Sequence, residues 1–155
     1  MTPQVGNDSA RRPSLFRWAA AFACWVAFIW GHSLVQGPQS SLESGFVVAL
    51  ARPLFEALGV SDPELMSLVV RKLAHFSEYA VLGVLARGLF AARLAERGRP
   101  PFPVAYLIAL VPVADECLQL FVPGRSGQPT DVLIDLSGLL AGSLLAWLVA
   151  RLRRR

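Results

Sequence analysis

Four long apolar runs constrain this chain more than any other feature. They cover residues 16–34, 67–89, 102–122 and 130–149, and each approaches the 20 or so apolar residues that a helix needs to cross a bilayer. Hydrophobic residues make up 54% of the 155-residue chain, which is more than a soluble domain of this size requires. We therefore predict an all-α, polytopic membrane protein with four transmembrane helices.

A fifth apolar segment, residues 45–59, is too short to span a membrane. Arg52 and Glu56 make it partly polar, and Pro53 interrupts it. It is predicted to form a short interfacial or re-entrant helix. The stretch 36–44, rich in Ser, Gly, Pro and Gln, is predicted to be a loop.

Polar segments lie at both ends of the chain, on either side of a single predicted domain. Residues 1–14 are predicted to be a disordered cytoplasmic tail, residues 15–150 the transmembrane domain, and residues 151–155 a basic cytoplasmic tail. The first apolar run has spanning length and many aromatic residues, which favours a retained helix over a cleaved signal peptide. Before the second run, Ser61 or Asp62 is predicted to cap a helix, with Pro63 in its first turn.

The basic residues predict the orientation. Four spans place eleven of the fifteen on one side, which the positive-inside rule identifies as the cytoplasm. Both termini are then cytoplasmic in a multi-pass protein of the cell membrane. No basic groove with interleaved aromatic residues is present, so we exclude nucleic acid as a partner. The eleven are Arg11, Arg12, Arg17, Arg87, Arg93, Arg97, Arg99, Arg151, Arg153, Arg154 and Arg155.

The last three spans all carry polar residues in the outer third of the predicted membrane, where ionisable groups by default mark a functional site. Lys72, His75 and Tyr79 share one helical face, with Glu78 beside it. The other members are Arg71 on the second span, Asp115, Glu116 and Gln119 on the third, Arg125 in the following loop, and Asp131 and Asp135 on the fourth.

Small residues continue the polar stripe of the fourth span. Gly138 and Gly142 form a GxxxG motif below Asp131 and Asp135. Such a motif allows close helix contact. It could serve packing within the bundle or a homo-oligomer.

The predicted site has more negative than positive charge. Three cationic residues, Arg71, Lys72 and Arg125, accompany five carboxylates. A carboxyl could take a proton, His75 could become imidazolium, or a cation could bind. A purely structural role for these ion pairs, holding the bundle together, stays open. Cys24 and Cys117 are predicted to be free thiols, and no zinc site of the usual kind is evident.

Four separate blocks of this sequence resemble the VanZ-like family of small membrane proteins. They are Lys72-x-x-His75-x-x-Glu78-Tyr79, Asp115-Glu116-x-x-Gln119-x-Phe121, Pro123-Gly124-Arg125, and Asp131 with Asp135, Gly138 and Gly142. The resemblance covers roughly residues 33–147 and implies a role in resistance to glycopeptide antibiotics such as teicoplanin. Asp135 stands where the family usually has Asn, which adds a carboxylate.

The leading hypothesis is an accessory protein that binds or modifies an envelope lipid or a glycopeptide-related ligand. Lys72 and Arg125 would hold an anionic group, and His75, Glu78, Asp115 and Glu116 would carry any acid/base step. Tyr79, Gln119, Asp131 and Asp135 would bind or orient the ligand. No cofactor is predicted. Two alternatives are a non-catalytic scaffold and a metal-dependent enzyme in which His75 and several carboxylates bind one divalent cation.

Overall fold

A computed structural model describes residues 14–35, 37–98, 102–125 and 127–155. These residues form helices and connecting turns, with no strand among them. The all-α prediction is therefore confirmed. The helices are α1 (Leu15–Ser33), α2 (Gly37–Ala57), α3 (Pro63–Arg97), α4 (Phe102–Ala109), α5 (Val111–Gln119) and α6 (Pro129–Leu152).

Among the described residues, two helices are long and apolar enough to cross a membrane: α1 and α6. Only 6% of the apolar stretch of α1 and 22% of that of α6 is buried, unlike the core helix of a soluble protein. Many large apolar side chains of α6 are exposed, as lipid contact would require. They include Leu133, Leu140, Leu144, Leu145 and Leu148.

The second predicted span lies within the much longer helix α3. Its first turn follows the prediction: the Asp62 side chain accepts a hydrogen bond from the Glu64 amide at 2.9 Å, and Pro63 follows the cap. The helix ends at Gly98, whose φ of 65° is the left-handed conformation that glycine adopts readily. Arg93 and Arg97, which follow the predicted span of residues 67–89, are therefore helical.

Helix α2 corrects the loop prediction for residues 36–44, because it begins at Gly37 and runs for 21 residues. Residue 36 lies outside the described residues. A proline is tolerated in the first turn of a helix. Gly37 and Pro38 therefore stand at the start of α2, although such residues also predict a loop. The end of α2 carries an exposed apolar stripe at fourfold spacing, which suits a helix at a membrane interface. Its members are Phe46, Leu50 and Leu54, and the exposed Leu58 follows just after the helix ends.

The predicted third span is not one continuous helix. It is divided into α4 and α5, with Leu110 between them. Pro112 lies in the first turn of α5, where a residue without an amide hydrogen is tolerated but cannot continue the ladder from the preceding helix. The short helix α5 therefore carries Asp115, Glu116 and Gln119 apart from the apolar α4.

The most extensive helix contact is between α3 and α6, and three glycines allow the two backbones to approach closely. A Cβ at Gly138 or Gly142 would overlap the carbonyl oxygen of Phe76 or Ala80, and one at Gly83 would overlap that of Leu139. The GxxxG face is thus buried within the chain. Of the two alternatives for the GxxxG motif, packing within the bundle is the one found at Gly138 and Gly142.

The remaining helices surround this pair at one end. Helix α1 packs against α3 and α5, and α5 packs against α6. The apolar core between them is small and continuous, and Tyr79 is fully buried in it. Its members are Ile29, Tyr79, Leu82, Ala86, Ile108, Val111 and Leu139. Residues 1–13 lie outside the described residues, and α6 extends through Leu152 into the predicted basic tail.

Candidate polar site

Four ionisable side chains from three helices meet in the interior. One donor atom each from His75, Asp115, Glu116 and Asp135 lies within 4.8 Å of the others. His75 comes from α3, Asp115 and Glu116 from α5, and Asp135 from α6. We name these four residues the His–carboxylate cluster. All four are buried, with Asp115 and Asp135 fully so.

Two polar contacts join α3 to α6 on one face of the seam. Lys72 Nζ forms an ion pair with Asp131 Oδ1, and His75 Nδ1 lies 3.3 Å from Asp135 Oδ1. Lys72 and His75 are three residues apart on α3, and Asp131 and Asp135 are four residues apart on α6. Residues at either spacing are neighbours on a helix surface. The expected pairing of polar stripes across these helices is therefore present.

Helix α5 presents a third polar face. Asp115, Glu116 and Gln119 are all buried, and Gln119 follows Asp115 by four residues and Glu116 by three, so it neighbours each of them on the surface of this nine-residue helix. Gln119 Nε2 donates to Ser33 Oγ over 3.4 Å. The Gln128 amide donates to Glu116 Oε2 over 2.8 Å, so the loop before α6 holds one oxygen of this carboxylate.

Glu78 faces α1 and is not one of the four cluster residues. Its Oε1 atom lies 2.9 Å from His32 Nδ1, and its carbonyl oxygen accepts a hydrogen bond from Trp25 Nε1. The sequence analysis did not include His32 among the residues of the predicted site, so this pair was missed. The signal available was its place at the outer end of α1, opposite the polar start of α3.

Arg125 connects the loop after α5 to the end of α1. Its Nε donates to the Val35 carbonyl oxygen over 3.1 Å, and its Nη2 donates to the His32 carbonyl oxygen over 3.2 Å. A forked guanidinium suits this double contact, which a lysine could not reproduce. Arg125 therefore joins the loop between α5 and α6 to the end of α1, and its ligand-binding role stays a prediction.

The cluster contains several polar atoms that no described residue satisfies. Oδ2 of Asp135 and Oε1 of Glu116 lie buried without a hydrogen-bond partner among the described residues. Asp135 Oδ1 has only the long 3.3 Å contact with His75 Nδ1, and the buried Asp115 oxygens and Tyr79 hydroxyl make no hydrogen bond of ordinary geometry there. Ser33 and Tyr79 lie next to Asp115, and Ser33 is itself buried. Buried carboxylates normally have donors, so this concentration of unsatisfied acceptors indicates a place for a cation, a proton or a ligand donor.

The comparisons with known proteins identify one family. No curated protein and no solved structure matches the chain. The VanZ/LLP1 family model matches residues 18–150, a segment that runs from α1 to α6 and contains every residue of the site. By this match over most of its length, the chain belongs to the VanZ/LLP1 family.

Proposed function

We propose that this protein crosses the cell membrane four times, with both termini in the cytoplasm, and holds its polar site on the extracytoplasmic side. There it binds or modifies an envelope lipid or a glycopeptide-related ligand, and so contributes to resistance to glycopeptide antibiotics such as teicoplanin. Family membership supports the resistance role. The observation that carries the proposal is the His–carboxylate cluster, since a membrane helix rarely buries unpaired carboxylates without a functional reason.

Helix lengths support the four crossings. The 35 residues of α3 extend about 52 Å at 1.5 Å per residue, more than the roughly 30 Å of a hydrocarbon core. Residues 102–119 of α4 and α5 together extend about 27 Å. Broken helices are tolerated in a membrane where protein covers the break, and Val111 and Pro112 beside the break are buried.

The rim of the site could receive an anionic headgroup. Lys72 keeps 21% of its side-chain surface exposed while it pairs with Asp131, and Arg125 is half-buried against the end of α1. A phosphate or carboxylate of a ligand would compete with the acceptors that these two cations now use. Ligand binding would then free Asp131 and bring the anionic group next to the His–carboxylate cluster.

The test is growth of a susceptible Gram-positive host at graded teicoplanin concentrations. Wild type, Asp115→Asn and Glu56→Gln are compared at matched membrane levels; Glu56 is an exposed carboxylate on α2 and serves as the control. We expect protection by wild type and Glu56→Gln, and its loss with Asp115→Asn. Equal protection by all three would refute a role for the cluster, and no protection by any would refute the resistance role in that host.

A non-catalytic scaffold is the second candidate, because several polar contacts join helices. The Lys72–Asp131 and His32–Glu78 pairs each connect two elements. A scaffold would need the fold but not the proton chemistry of His75. We therefore expect His75→Gln to retain protection if the protein is a scaffold and to lose it if the site acts chemically on its ligand, at equal membrane levels.

A further inference from the structure

The His–carboxylate cluster is the size of a single metal coordination sphere. Its four donor atoms lie within 4.8 Å of one another. With metal–nitrogen and metal–oxygen bonds of about 2.0–2.2 Å, the four donors of a tetrahedral site lie about 3.4 Å apart. An inward movement of less than about 1 Å per donor atom would therefore bring all four to one centre.

The negative charge of the His–carboxylate cluster also favours a bound cation. Asp115, Glu116 and Asp135 bring three carboxylates together, and Lys72 of α3 is paired with Asp131. Within the described part of the chain, His75 Nδ1 lies 3.3 Å from Asp135 Oδ1, and Ser33 and Tyr79 lie beside Asp115, while Oδ2 of Asp135 and Oε1 of Glu116 have no hydrogen-bond partner. The repulsion between buried like charges is strong at low dielectric, and one divalent ion would offset it while binding an oxygen from each carboxylate.

The neighbouring contacts orient the donors inward. The Gln128 amide holds Oε2 of Glu116, which leaves Oε1 for the cluster. The Tyr79 side chain is fully buried beside Asp115. The glycine contacts between α3 and α6 fix the separation of His75 from Asp135. Metal ligands in proteins are commonly held in this way by surrounding groups.

We propose that His75, Asp115, Glu116 and Asp135 bind one divalent first-row transition-metal ion, such as Mn²⁺ or Zn²⁺. One imidazole and three carboxylates form a nitrogen–oxygen donor set, which suits these ions. A copper(I) or iron–sulfur site would need thiolates, and Cys24 and Cys117 are exposed, outside the cluster. This inference rests on the cluster geometry and not on the antibiotic-resistance role.

The experiment uses the full-length protein in nanodiscs after treatment with a chelator. Mn²⁺ and Zn²⁺ are titrated separately by calorimetry, and the Mn²⁺ sample is examined by pulsed electron paramagnetic resonance. We expect one ion per chain and a nitrogen coupling from the His75 imidazole. His75→Gln should remove that coupling. Asp135→Asn should weaken binding by more than the roughly 10–100-fold typical of losing a supporting residue, while Glu96→Gln, an exposed carboxylate on α3, should bind as wild type.

The wild-type titration decides the proposal even if a variant fails to fold. Absence of stoichiometric Mn²⁺ and Zn²⁺ binding by the wild-type protein would overturn it. Binding that persists unchanged in folded Asp135→Asn, or a nitrogen coupling retained in His75→Gln, would also overturn it. Metal binding without protection from teicoplanin would leave this inference standing and refute only the resistance role.

Discussion

His75 on α3 and Asp135 on α6 face each other across the helix seam, with 3.3 Å between Nδ1 and Oδ1. Asp135 is fully buried and belongs to a group of three carboxylates. Its position resembles one that is usually Asn in the VanZ-like family. The extra carboxylate therefore adds a negative charge where the neighbouring groups are already acidic.

We predict that Asp135→Asn stabilises the metal-free protein. The amide keeps a polar atom beside His75 and removes one of three mutually repelling carboxylates. The melting temperature in detergent with excess chelator should rise by about 2–4 °C, which corresponds to about 1 kcal/mol for a chain of this size. A fall would show instead that Asp135 stabilises the fold as the partner of a charged His75 imidazolium.

Much of this site could be predicted from the sequence because helical spacing and apolar run length are local properties. The start of α3 at Pro63 and the polar faces bearing His75 and Asp135 follow from such rules. The convergence of α3, α5 and α6 followed from placing polar residues at the same depth. The ligand roles assigned to these residues stay predictions.

The features that escaped prediction depend on tertiary contacts. Whether Pro112 breaks a span depends on what packs around it. The GxxxG pattern does not specify whether Gly142 contacts a neighbouring helix of the same chain or a second chain. The His32–Glu78 pair joins residues 46 positions apart. No periodicity within α1 or α3 specifies such a partner.

The number of membrane crossings can be tested by thiol labelling. In a background with Cys24→Ser and Cys117→Ser, Arg97→Cys reports on the end of α3 and Ser61→Cys on the turn before it; both positions are exposed. Four crossings place Arg97→Cys in the cytoplasm, whereas spans at α1 and α6 alone would place it outside. We expect an impermeant maleimide to label Ser61→Cys but not Arg97→Cys in intact cells. Labelling of both would contradict the four-pass arrangement, and cell lysis provides the control for reactivity.

The Lys72–Asp131 pair should contribute more to stability than an exposed pair. Lys72→Met leaves a buried carboxylate on α6 without its cation, for which we expect a loss of about 3 kcal/mol. Arg52→Met, which breaks the exposed Arg52–Glu56 pair of α2, should cost less than about 1 kcal/mol. Denaturation in mixed micelles measures both. Asp131→Asn introduced into Lys72→Met should recover most of the loss, and a failure to recover it would assign the effect to packing of the lysine stem.

The glycine seam between α3 and α6 should not tolerate a methyl group. Gly142→Ala directs a Cβ into the Ala80 carbonyl oxygen, and the resulting displacement should cost about 1–3 kcal/mol. Gly31→Ala on α1 is the matched control, because nothing lies within 4 Å of its Cβ position. Thermal unfolding of both variants gives the comparison. Equal stability of the two would mean that the helices separate more easily than their contact indicates.

The division between α4 and α5 separates the residues of the His–carboxylate cluster into two groups. Close glycine contacts hold together α3 and α6, which bear His75 and Asp135. Asp115 and Glu116 belong instead to a nine-residue helix that begins just after Leu110. Backbone hydrogen bonds from the Leu110 amide to Tyr106 and from the Ala114 amide to Leu110 span the division. The placement of Asp115 and Glu116 against His75 and Asp135 therefore depends on how α5 packs on α1 and α6, independently of the α3–α6 contact.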